Sequence, residues 1–434
     1  MLTLALLFLA TEAPTWKAGV ASRVITPAEP MWMAGYASRT KPAGGKEHDL
    51  FIKVLALEDP RGQRAVLVTS DLIGISRSLG QQVRAAVRKR HGLEDAQIML
   101  TASHTHSGPV IADNLSDMYP MPPEEAKKIA PYSRQVAEQM ISGIEEAIKG
   151  LQAVTLEHGI GSAGFAVNRR QVTDKGVING SNPDGPVDHR VPVLRVVSAD
   201  GKLLAVAFGY ACHNTTLSGQ SWCGDYAGFA QAAIEAKHPG TVALFWTGCG
   251  ADANPLPRGK VEQARAYGEQ LARAVLATKT AALKGQLTTR YQEIELPFGA
   301  LPTAEQLAGQ AISKNLAERR RAERLLATLK RDGKLPTTYA HYPVQVWKLG
   351  DVKWVALGGE VVVDYSLRLQ KEFGPRVWVA GYANDVMAYI PSRRVLREGG
   401  YEADSSQIYY GQPARWSPAI EEKIIGTVRE LIKE

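Results

Sequence analysis

Cysteine is scarce: Cys212, Cys223 and Cys249 are the only three in 434 residues. An odd number cannot complete a disulfide framework, and no Cys pair has the spacing of a zinc knuckle. A single Cys212–Cys223 bridge and three buried thiols stand as the two alternatives. Any metal must then be held by histidine and carboxylate. Membrane-length apolar runs are missing too. The run Leu2–Ala10 is too short to cross a bilayer and fits the apolar part of a signal peptide. Ala10-Thr-Glu-Ala13 supplies the small-residue cleavage site, although no Lys or Arg precedes the run. Residues 1–13 are therefore expected to direct export, to the periplasm or out of the cell. There is no Gly-x-Ser-x-Gly elbow, no phosphate-binding P-loop, no nucleic-acid module, no internal repeat and no low-complexity tract.

What is present is ordinary globular material: 45% hydrophobic and 22% charged residues. A chain of this length buries a core without needing staples. The net charge is +7, and much of the excess lies in the stretch from Lys314 to Lys334. A solvated helix face explains such a run, and attraction to an anionic membrane surface is the sharper reading.

Strand-like and helix-like segments alternate, which predicts an α/β fold with mixed central sheets flanked by helices. Strands are expected at 64–70, 97–102, 203–210, 241–246, 353–357 and 376–380. Helices are expected at 79–90, 124–149, 226–237, 261–278, 304–330 and 418–434, and long loops at 110–123 and 165–188. The apolar strands run out into polar clusters: Asp71; Ser103 to Pro109; His213 to Thr216; Gly248 to Asp252; Gly358-Gly359-Glu360; Asn384-Asp385 and Tyr389. Ligand crevices of open α/β sheets lie beyond strand carboxyl ends, so these clusters predict one site built from distant sequence. Antiparallel strands would send some of the ends the other way.

His104-Thr105-His106 is the sharpest local signal, because i and i+2 on an extended segment share a side. Two imidazoles there suit a metal, or a metal and an acid/base partner. His213, Glu360 and Tyr389 each read singly as a structural histidine, a cap and a core aromatic. The constellation counts for more than its members: a catalytic zinc takes three protein ligands, leaves room for water and lowers the pKa of that water to about 7.

Several stretches resemble the neutral, non-lysosomal ceramidase family. They are Trp16 to Pro27, Met33-Ala-Gly-Tyr36, Ala102-Ser-His-Thr-His-Ser-Gly-Pro109, Asn168-Arg169 and Asn384 to Tyr401. The similarity runs in order from about residue 16 to residue 416. It implies hydrolysis of the ceramide amide with one bound Zn2+ per chain, held by His104, His213, Glu360 and Tyr389. It also implies that His106 acts as acid/base and that Arg169 and Tyr401 stabilise the oxyanion. Where the family carries an essential Ser, Gly248-Cys-Gly-Ala-Asp-Ala-Asn-Pro255 places Asn254, so a Ser-dependent step is not expected. The family's carboxyl-terminal immunoglobulin-like domain has no counterpart, and residues 14–434 are expected to form a single catalytic domain.

Asp71, Asp225, Asp252 and Asp188-His189 also lie in polar loops. They read as turn formers or as partners that orient zinc histidines, with Asp71 and Asp252 first for that role. The expected partner is a small-molecule amide or lipid substrate, with peripheral contact to an anionic membrane and none to nucleic acid. An esterase, lactonase or sugar-amide hydrolase on the same scaffold is the competing activity. A binding protein that has lost catalysis is the non-enzymatic alternative.

Overall fold

The computed structural model describes residues 15–115 and 117–433; the Leu2–Ala10 run and its cleavage site lie outside them. All six expected strands form, as Arg64–Ser70, Ile98–Ala102, Leu203–Tyr210, Val242–Thr247, Val352–Leu357 and Val377–Ala380. They pair in parallel: Arg64–Ser70 with Ile98–Ala102, Leu203–Tyr210 with Val242–Thr247, Val352–Leu357 with Val377–Ala380. Six more long strands join them antiparallel: Trp16–Val24, Phe51–Glu58, Gln152–Ser162, Arg190–Ser198, Leu287–Pro297 and Thr338–Leu349. The sequence hides several of these behind charge. Lys53 interrupts Phe51–Glu58, yet it is buried and pairs with Glu235 at 2.6 Å. Leu287–Pro297 is only partly covered along most of its length, so it shows no apolar run.

The large sheet runs in the order Val242–Thr247, Leu203–Tyr210, Arg190–Ser198, Gln152–Ser162, Trp16–Val24, Phe51–Glu58, Arg64–Ser70, Ile98–Ala102. Its two ends meet, because the Thr247 hydroxyl donates to the carbonyls of Ala102 (3.1 Å) and Ser103 (2.8 Å). That closure brings the carboxyl ends of Ile98–Ala102 and Val242–Thr247 together. A second sheet of four strands, Leu287–Pro297, Thr338–Leu349, Val352–Leu357 and Val377–Ala380, packs on one face of the first. Leu55, Leu67 and Leu244 of the large sheet meet Trp347, Trp354 and Trp378 of the small one, and the Trp246 ring lies tilted 4.3 Å from that of Trp354.

The other face of the large sheet is covered by helices Arg77–His91 and Pro123–Lys149 at one end, and by Asp225–Lys237 and Val261–Ala277 at the other. Ile52 and Val54 point to these helices while Leu55 and Leu57 point to the second sheet, as the two-residue strand period requires. Helices Val363–Phe373 and Ile420–Lys433 cover the outer face of the small sheet. The α/β expectation holds, with mixed sheets sandwiched between helices.

Two expected elements differ. Residues 165–188 are not one long loop: Ala166–Thr173 and Gly176–Asn182 form an antiparallel hairpin. Its distal half is exposed, so no buried face imposes an apolar alternation on it. The helix expected over 304–330 is two, Ala304–Gln310 and Leu316–Asp332. Asn315 starts the second by accepting from the backbone of Ala317 and Glu318, a capping signal inside what reads as one amphipathic run.

The cysteine alternatives resolve in favour of buried thiols: all three are free. The basic run is neither bare nor wholly solvated. Arg320 donates to the Tyr119 carbonyl (2.7 Å), Arg321 to that of Gln412 (2.6 Å), and Arg324 to that of Gly411 (3.2 Å). Among the described residues, no helix is long and apolar enough to cross a membrane.

Candidate metal centre

Strand Ile98–Ala102 ends in a sharp turn. Ser103 still donates to Ser70, and His104 then adopts a left-handed conformation with φ 58°, uncommon for a residue with a Cβ. Thr105 next bridges to Asn214, and the His106 amide donates to the Asn214 carbonyl at 3.2 Å. Asn214 thus staples the His104–His106 turn to the loop that follows Leu203–Tyr210. In that loop the His213 amide donates to the Ala253 carbonyl at 3.0 Å. Glu360 and Tyr389 sit opposite each other on two short parallel strands, Glu360–Val361 and Tyr389–Ile390. The Arg169 amide is fixed to the Asp252 carbonyl at 2.8 Å, and Tyr401 opens a π-helical turn, Tyr401–Ser405.

These segments bring all four expected ligands and all three expected catalytic side chains into one cluster, buried except for the half-buried His106 and Tyr401. The Nε2 atoms of His104 and His213 lie 3.2 and 3.1 Å from the same Oε2 of Glu360. His213 Nε2 is 3.3 Å from the Tyr389 hydroxyl, and His106 Nε2 is 3.2 Å from His104 Nε2. Ligand atoms of a tetrahedral zinc with bonds of about 2 Å stand about 3.3 Å apart, so these separations fit one ion.

The donor chemistry fits as well. His104 Nδ1 donates to the Ile73 carbonyl at 2.6 Å and His213 Nδ1 to that of Gly250 at 2.8 Å. Each ring therefore carries its proton on Nδ1 and turns a lone pair on Nε2 toward the centre. Glu360 Oε2 is buried and has no hydrogen-bond partner, a deficit that a bound cation would correct. The three histidines alone form a group with ligand atoms within 4.8 Å of one another.

His106 differs from its neighbours. It is only partly buried, its Nδ1 has no partner, and its ring packs 4.8 Å from Tyr36. Gly35 backs directly onto it: a Cβ there would stand 2.4 Å from His106 Nδ1, and the glycine φ is +96°. Tyr401 lies 5.2 Å from the Tyr389 ring, and the Arg169 guanidinium is 5.7 Å from the centroids of both.

Electrostatics keep the donors ready. Burial drives His213 down to about 4, aided by Arg169, so the ring is neutral at physiological pH. Burial and the neighbouring His104 and His213 push His106 well below its ordinary value. Burial opposes the charge on Arg169, yet Tyr389 and Glu402 lift it well above the ordinary arginine value.

The carbonyls of Ile73 and Gly250 orient the two histidine rings, whereas Asp71 and Asp252 make other bonds. Asp71 accepts from the Phe51 amide, and Asp252 from the Val363 amide and Asn168. Both carboxylates brace the loops that carry the site. Asp225 accepts from the Leu217 and Tyr226 amides, and Asp188 pairs with Arg190. Asn254 accepts from Arg169 at 3.4 Å and from Thr215 at 3.3 Å.

Three side chains escaped sequence reasoning. Glu402 binds Arg169 at 2.7 Å and Arg170 at 2.6 Å, Tyr410 donates to Glu360, and the Tyr382 ring lies 4.4 Å from that of His104. Glu402 had one available signal, its place beside Tyr401; the other two had none.

Fold and site together define an α/β protein with a buried histidine–carboxylate centre able to hold a metal ion. Residues 16–245 match the family described as neutral/alkaline non-lysosomal ceramidase, N-terminal, and the chain belongs to that family of hydrolases. Its fold is similar to that of a neutral ceramidase from Pseudomonas aeruginosa. There the similarity covers 96% of this chain and 74% of the other, at a TM-score of 0.72 and 19% identity. A ceramidase complexed with C2 is similar over the same shares, at a TM-score of 0.74 and 19% identity. No curated protein matches the sequence.

Proposed function

We propose that the protein is a zinc-dependent amidohydrolase that cleaves an N-acylsphingosine or a related N-acyl lipid. The observation that carries this reading is Glu360 Oε2, buried without a hydrogen bond between the Nε2 atoms of His104 and His213. His104, His213, Glu360 and Tyr389 would hold the ion. A zinc bound there supplies Lewis acidity and a nucleophilic water at neutral pH.

The remaining chemistry belongs to this chain's own side chains. His106 is the one partly exposed histidine of the three, and its Nδ1 is not locked to a carbonyl. It takes a proton from the attacking water and passes it to the leaving amine. Arg169 and Tyr401 face the tetrahedral oxyanion, where loss of one such donor costs about 3 kcal/mol of barrier. Asn254 keeps the Arg169 guanidinium in place. Residues 14–434 act as one catalytic unit. The Leu2–Ala10 run supports action in the periplasm or outside the cell, where an N-acyl lipid is met at a membrane surface.

The test is metal content measured together with N-acylsphingosine hydrolysis, with soluble esters and lactones as competitors. About one zinc per chain with amide cleavage supports the reading. Zinc with ester or lactone cleavage alone replaces the substrate, and a metal-free active enzyme overturns the mechanism.

A further inference from the structure

We propose that Tyr410 is a positioning residue: its hydroxyl engages one carboxylate oxygen of Glu360 and so leaves only the other for a metal ion. This rests on the reading of the centre as a metal site.

Both oxygens of Glu360 are accounted for in different ways. Oε1 accepts the Tyr410 hydroxyl, while Oε2 faces His104 and His213 and has no hydrogen bond. An ionised carboxylate can offer one oxygen or two to a partner. With Oε1 free, the second oxygen could swing onto the ion and fill a coordination position. A catalytic zinc needs that position open for water or substrate. A donor on Oε1 prevents this by geometry and aims the Oε2 lone pair.

Tyr410 is itself held from outside the centre. It ends the short helix Gln407–Tyr410, where Gly411 turns left-handed at φ 68°. The backbone immediately after it is clamped by the basic helix Leu316–Asp332. Arg321 donates to the carbonyls of Gln412 (2.6 Å) and Pro413 (2.5 Å), and Arg324 to that of Gly411 (3.2 Å). On the inner side, the Gln412 amide group donates to the Met387 carbonyl at 2.8 Å, two residues before Tyr389. The cationic run thus serves as an outer clamp on the segment that aims Glu360.

Tyr410→Phe keeps the ring and removes only the hydroxyl. Zinc affinity is measured by chelator competition, and the coordination of the cobalt-substituted protein by its visible absorption. The variant should bind zinc about 10- to 100-fold more weakly than wild type. Its cobalt bands should weaken and shift, as expected when a second carboxylate oxygen raises the coordination number. Wild-type affinity with a wild-type cobalt spectrum would overturn the proposal. Failure of the wild-type protein to bind either metal would instead sink the metal-site reading on which it rests. A hydroxyl with a merely structural role would lower the melting temperature and leave the cobalt spectrum unmoved.

Discussion

Arg169 donates through Nη2 to the hydroxyl of Tyr389 at 3.1 Å. Burial and the Glu360 charge push the Tyr389 phenol well above its ordinary value, and the Arg169 cation opposes them. The same guanidinium faces Tyr401 and is anchored by Glu402. Arg169→Gln should lower kcat by about 100- to 1,000-fold, the usual loss when an oxyanion donor is removed. The fold should survive, because Glu402 keeps its 2.6 Å bond to Arg170. Steady-state kinetics with a thermal melt check this, and an unchanged kcat would remove Arg169 from the chemistry.

The three histidines should separate by metal content. His104 and His213 turn carbonyl-locked rings toward Glu360, whereas His106 has no such lock. His104→Ala and His213→Ala should lose the ion, with activity. His106→Ala should retain close to one metal per chain and still be inactive. Elemental analysis of the purified variants decides it, and loss of the ion from all three would make His106 a ligand.

Gly35→Ala tests the wall behind His106. The new Cβ would stand 2.4 Å from His106 Nδ1, on a backbone already at φ +96°. The ring must move, so activity should fall by at least about tenfold while the metal, held by other residues, stays bound. A fully active variant would show that the position of His106 does not matter.

Asp385 makes a pH prediction. Burial pushes its carboxyl up from 3.8 to about 7, against the hydrogen bond from Tyr339 and the charge of Arg77. A carboxyl raised on folding adds stability that is full below the unfolded pKa and fades as pH rises through the folded one. Asp385→Asn removes this dependence. The stability of wild type relative to the variant should therefore decline between pH 4 and pH 7, by about 4 kcal/mol in all. Denaturant melts of the two proteins across that range measure the difference, in which shared contributions such as Asp252 cancel. A constant difference would mean that Asp385 is not protonated in the fold.

Burial of three free thiols makes a redox prediction. Thermal stability should be the same with and without reductant. A thiol reagent should modify none of the three in the native protein and all of them after unfolding. Two thiols missing from the unfolded count would reveal a bridge.

The elements legible in the sequence were those with apolar faces on both sides. The six expected strands lie between helices and a second sheet, so their runs are nearly continuous, and their polar ends stand out. The antiparallel strands were harder to read. Lys53 is neutralised inside by Glu235, and Leu287–Pro297 and the hairpin after Ala166 present much surface to water. Neither condition leaves an alternating pattern.

The family resemblance supplied the roles of Arg169, Tyr401 and the ligand set; by itself the sequence determined the fold class, the strand ends that would carry polar groups, with His213, Glu360 and Tyr389 among them, and the His104-Thr105-His106 signal. Residue types and local motifs carry that information, because strand periodicity and His-x-His spacing are properties of a few neighbouring residues. Only the tertiary structure decided what orients them. The Ile73 and Gly250 carbonyls that lock the imidazoles, Glu402 behind Arg169, and Tyr410 behind Glu360 come from segments far apart in the chain. A backbone carbonyl has no sequence signature. A buried carboxylate or hydroxyl gains its role only when folding removes water and leaves one partner within reach.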